Sequence, residues 1–157
     1  MGHERVDLPG GELIPQYLAD LADTIADGIR EASEQLQQAI FSYGAGRCNL
    51  ATNRDFKDET LGKYVCGYNA GGEADDTVGV IRVASAADHS VMATIINYAC
   101  HPTTLAWDNT LVSPDYPGAM CEVVETATAA PCFFIQGASG DIGPRHGFVG
   151  DTAVADK

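Results

Sequence analysis

Residues 78–99 read VGVIRVASAADHSVMATIINYA, two β-branched runs divided by the polar stretch SAADHS. Branched side chains crowd a helical turn but pack well on a pleated surface. The pattern therefore predicts two strands, over 78–84 and 91–99, joined by a short turn. Downstream, SPDYPGAMCEVVETATA (113–129) reads as a helix entered near Asp115. Pro117 falls in its first turn, where a missing N–H costs nothing. CFFIQG (132–137) then reads as a short buried strand feeding the loop ASGDIGPRHG.

Upstream, apolar residues recur at Ile14, Tyr17/Leu18, Leu21, Ile25, Ile29, Ala32, Leu36 and Ile40. Steps of three and four put them on one stripe of a helix, with Pro15 in the opening turn. Asp20, Asp23, Asp27, Glu31 and Glu34 line the other face, so an amphipathic helix packed on a sheet is expected. AIFSYGAG (39–46) reads as a short strand ending in a glycine turn, and the polar residues 47–76 as a long surface excursion. Long excursions of that kind are often functional. The order of elements predicts an α/β fold: a layered mixed β-sheet packed by helices.

The chain of 157 residues is long enough for a real core, and its hydrophobic fraction of 45% is ordinary for a folded protein. Nine basic and 22 acidic residues give a formal charge of −13, which repels phosphate backbones and anionic membranes and excludes a nucleic-acid partner. No apolar run approaches the roughly 20 residues that span a bilayer, so no transmembrane segment is expected. MGHERVDLPGGELIPQ lacks the cationic and apolar regions of a secretory signal. The tail GDTAVADK closes on no strand or helix, and residues 1–157 are expected to be a single partial domain of a larger protein. None of Cys48, Cys66, Cys100, Cys121 and Cys132 forms a CxxC pair, which excludes a four-thiolate zinc knuckle. Most stand beside apolar residues and read as buried thiols acting as small hydrophobes.

Two loops follow buried strands, CHPTT (100–104) and GASGDIGPRHG (137–147), and strand ends are where layered α/β folds bind ligands. Pro102 must end its strand, so the ring of His101 is free to project past the edge as a metal ligand. The competing reading is a histidine hydrogen-bonded at a strand end, and spacing by itself favours that one, for no HxH or HExxH partner lies nearby. The glycine-rich loop is neither a P-loop nor GxGxxG, and Asp141 opposes phosphate. That loop reads either as a holder of Asp141 and Arg145 near a substrate or as a tight turn capped by Asp141. Arg54 in ATNRDF offers forked donors to a substrate, or pairs with Asp55 or Asp58 on the surface. Ser139 lacks a histidine at nucleophile-elbow spacing. His3, His89 and His146 sit in polar loops and are expected to be solvated.

INYACHPTTL, VSPDYPGAMCEVVE and FIQGASGDIGP, in that order, resemble the neutral, non-lysosomal ceramidase family, especially its divergent bacterial members. The helix at 14–38, YGAGRCNLATNRD and DDTVGVIRV fall in the family's order as well, so the resemblance covers essentially the whole chain. It implies a zinc amidohydrolase that cleaves the N-acyl bond of ceramide-like lipids to sphingosine and a fatty acid. It also implies an exported or membrane-associated protein. His101 matches one of two zinc-binding histidines, which raises it above its spacing, and Arg54 matches an active-site arginine. The other zinc ligands are expected outside this chain, so the segment by itself is expected to bind zinc weakly and to hydrolyse nothing. The family's GD-x-S-P-N loop, with its active-site serine, reads here Gly140-Asp141-Ile142-Gly143-Pro144-Arg145. Gly143 stands at the serine position, which opens a second reading: a binding or surface domain that has lost catalysis.

Overall fold

A computed structural model describes residues 7–105, 107, 109–147 and 149–155. The chain divides into two compact units, Met1–Gln38 and Ala39–Lys157. In the first, a 3-10 turn at Gly11–Leu13 runs into α1 (Ile14–Glu34), with proline in the first turn as expected. The stripe of Tyr17, Leu18, Leu21, Ile25 and Ile29 is exposed. Its last two expected members fall outside the helix, because α1 stops at Glu34 and Ile40 belongs to the next strand.

The second unit contains, in order, β1 (Ala39–Arg47), β2 (Ala51–Asn53), β3 (Asp55–Asp58), β4 (Lys63–Cys66), β5 (Thr77–Ser85), β6 (Val91–Tyr98), α2 (Asp115–Thr128), β7 (Cys132–Gln136), β8 (Ile142–Pro144) and α3 (Thr152–Ala155). Four strands form a mixed sheet in the order β1-β5-β6-β7. The β-branched runs pair antiparallel, as a short connection requires, whereas β7 lies parallel to β6 because α2 carries the chain back to the same end. The α/β fold with a mixed sheet is therefore as expected.

Alternation along the strands divides the sheet's two faces. Ala84, Thr94, Ile96, Tyr98 and Cys132 are buried on one. The other carries the register Tyr43–Ile81–Ile95–Phe133, of which Tyr43 and Phe133 are exposed. β1 does not end in a glycine turn. Gly44 and Gly46 lie inside it opposite Val80 and Val78, held extended by the ladder to β5.

Residues 47–76 are more ordered than their composition implies. β3 and β4 form a hairpin whose turn is closed by the Asp58 carboxylate accepting the Thr60 and Leu61 N–H groups. β2 pairs antiparallel with β8, far along the chain. That pairing lays Ala51 and Ile142 against Tyr98, Ala99 and Cys100, the apolar cluster at the end of β6. Tyr98 ties it together, its hydroxyl accepting the Ala51 N–H at 3.0 Å and donating to the Cys48 carbonyl at 2.8 Å. All five cysteines are free thiols: Cys100 and Cys132 are buried, Cys48 and Cys121 half-buried, and Cys66 is exposed. Among the described residues no helix is long and apolar enough to cross a membrane.

Candidate functional site

β6 ends at Tyr98, and three residues later His101 turns toward β8. Its backbone N–H donates to the Ile142 carbonyl at 3.3 Å, and its Nδ1 lies 3.2 Å from the same oxygen. A carbonyl only accepts, so Nδ1 carries the imidazole proton and Nε2 keeps its lone pair as an acceptor. A ring anchored in this way has the orientation of a metal-ligating histidine.

Nε2 faces Arg54, whose Nη2 is 3.4 Å away. Arg54 immediately follows β2, so the β2–β8 pairing carries it to the glycine loop. Its Nε and Nη2 both donate to the Gly140 carbonyl, at 3.1 and 2.9 Å, and its backbone N–H donates to the Asp141 carbonyl at 2.8 Å. This is neither of the surface ion pairs open to it from the sequence. The fork is spent on a backbone acceptor and, through the second Nη2 proton, on His101 Nε2, and Nη1 has no hydrogen-bond partner among the described residues. Asp141 is brought to the same loop, but its carboxylate accepts from Asn53 Nδ2 at 3.2 Å. His89 and His146 are exposed, as expected, and His3 lies outside the described residues.

Two residues that the sequence did not mark complete the frame. Buried Asn53 donates to Glu73 O and Asp141 Oδ2, while its Oδ1 accepts from the Asp55 N–H and from Asn69 Nδ2. Gln136, at the end of β7, donates to the Cys100 carbonyl at 2.9 Å and to Ser139 Oγ at 2.8 Å. The signals were the polar residue before Arg54 and a glutamine closing an apolar run, and neither means anything without the pairing. Gly137 follows, where a Cβ would come within 3.0 Å of the Ala99 backbone, so only glycine permits this close approach. Gly143 differs: a Cβ there would meet Arg54 Cδ at 3.4 Å, ordinary van der Waals contact. Position 143 thus faces Arg54 with room for a small side chain.

The donor set bears directly on the zinc expectation. His101 fits as one ligand, but among the described residues no group of three or more His, Cys, Asp or Glu side chains converges to hold a metal. A catalytic zinc takes three protein ligands and a structural one four. The burial around this point is apolar, and it pushes the Cys100 thiol up to about 11.

No protein-family model matches the chain, and no curated protein is significantly similar to it in sequence. Solved structures do resemble it. A neutral ceramidase from Pseudomonas aeruginosa matches with a TM-score of 0.61 and 25% identity, over 78% of this chain and 20% of that one. A ceramidase complexed with C2 matches with a TM-score of 0.54 and 24% identity, over 69% and 17%. The chain thus spans about a fifth of the length of the ceramidases it matches. In fold, over most of its own length, it is similar to a segment of the bacterial neutral ceramidases.

Proposed function

We propose that the chain is an internal segment of a zinc-dependent amidohydrolase that cleaves the N-acyl bond of a ceramide-like lipid, and that His101 supplies one zinc ligand. The observation that carries this reading is the Nδ1–H donated to Ile142, which leaves Nε2 unprotonated beside Arg54. A bound zinc ion would supply Lewis acidity and a water of lowered pKa. Arg54, held by Gly140, would direct its remaining Nη1 protons at the oxygen that gains charge as the amide carbonyl becomes tetrahedral. Asp141 would keep Asn53 and the β2–β8 pairing in register, so that Arg54 stays beside His101.

The experiment pairs the full-length gene product with its His101→Ala variant, assayed for fatty acid released from a fluorescent N-acylsphingosine, with and without a zinc chelator. Full-length protein should carry about one zinc per chain and lose activity with chelator. Loss of one ligand should lower activity by at least about 100-fold, the upper end of what even outer-shell changes cause. A folded, zinc-free and inactive full-length protein would overturn the reading.

Gly143 favours a second reading, a binding domain that kept the fold and lost catalysis. Gly143→Ser decides between them, since the added Cβ meets only Arg54 Cδ, at 3.4 Å. Activity appearing only in the variant would mean that catalysis was lost with the hydroxyl.

A further inference from the structure

The segment that carries His101 is gripped at both ends by two consecutive residues of α2. The Tyr116 hydroxyl donates to the Cys100 carbonyl at 2.6 Å, immediately before the histidine, and this is the shorter of two bonds there, the other coming from Gln136 at 2.9 Å. The Asp115 carboxylate accepts the Leu105 N–H at 3.0 Å, four residues after it. Between these grips the backbone turns through a Thr103 N–H to His101 carbonyl bond of 2.9 Å.

The grip is costly to build. Asp115 is 7% exposed, and its backbone sits at φ 55°, the left-handed region that an L side chain avoids. A buried carboxylate in a strained backbone persists only where its surroundings over-determine it. Here its oxygens take the Leu105 and Tyr116 N–H groups, and its own N–H donates to Ser113 Oγ at 3.1 Å. Tyr116 is wedged edge-on against Tyr98, with ring centroids 6.3 Å apart, and against Phe134 at 5.7 Å. Its hydroxyl therefore has one direction to point.

We propose that Asp115 and Tyr116 are positioning residues for His101: by clamping Cys100 and Leu105 they hold the imidazole where Nδ1 must donate to Ile142 and Nε2 must stay unprotonated. Neither residue touches a reacting group. The proposal rests on the reading of His101 as a site residue, and it concerns only this chain's own atoms.

The test reads the imidazole directly, by nitrogen-15 NMR of the chain labelled at histidine, without metal and at a pH where the ring is neutral. The wild-type ring should be predominantly protonated on Nδ1. Tyr116→Phe keeps the ring packing and removes one grip, while Asp115→Gly keeps the left-handed backbone and removes the other. Each should raise the Nε2–H population several-fold, with the melting temperature showing that the chain stays folded. Asp115→Asn, which retains an acceptor for the Leu105 N–H, should restore most of the Nδ1–H form. An unchanged tautomer in folded Tyr116→Phe, and in Asp115→Gly where that variant folds, would overturn the clamp and leave the site intact. A wild-type ring protonated on Nε2 would instead overturn the reading of the site itself.

Discussion

Thr103 Oγ1, two residues beyond His101, is buried with no hydrogen-bond partner among the described residues. A stranded hydroxyl costs about 1–3 kcal/mol, and valine has nearly the same shape without it. Thr103→Val should therefore raise stability by about 1 kcal/mol, read as a higher urea midpoint at unchanged slope. A drop would mean that the hydroxyl is satisfied by water. Single residues were also where sequence reasoning was least able to choose. His101 allowed a histidine merely hydrogen-bonded at a strand end and Arg54 a surface ion pair, and only their 3.4 Å approach brings them into one site.

Among the elements, α2 shows how local signals and packing agree. Asp115 and Pro117 mark its start, and it ends at Thr128 with Ala129 as C-cap at φ 52° and ψ 32°. Glycine is the usual residue there, since a Cβ in that conformation costs about 1–2 kcal/mol. Ala129→Gly should thus raise the thermal midpoint, equivalent to about 1 kcal/mol, by calorimetry. The contact between β6 and α2 carries a pH dependence. Burial raises the pKa values of Tyr98 and Tyr116 above the ordinary 10.0, and that of Cys100 from 9.0 to about 11. The unfolded chain releases these protons first, so the folded state binds more of them at high pH. Their contribution is full below pH 9.0 and is lost as pH rises through about 11 and beyond. Urea midpoints should accordingly fall between pH 8.5 and 11 in wild type, and less steeply in Tyr116→Phe. The β2–β8 pair is the opposite case: strands of three residues with no periodicity to read, formed because Ile142 and Ala51 both reach the Tyr98 cluster.

For the whole molecule, the charge of −13 and a pI near 4.4 dominate solution behaviour. Solubility should pass through a minimum near pH 4.4, seen as turbidity, and duplex DNA should leave electrophoretic mobility unchanged at low salt. Composition, periodicity and helix punctuation were enough to read the central strands, α2 and the α/β class, because each follows from neighbours a few residues apart. Tertiary structure alone decided that Arg54, His101 and the Gly140–Ile142 carbonyls meet, and which imidazole nitrogen stays unprotonated. Those contacts join positions 41 to 87 residues apart. No local spacing encodes them; the sheet register and the burial of Tyr98 do.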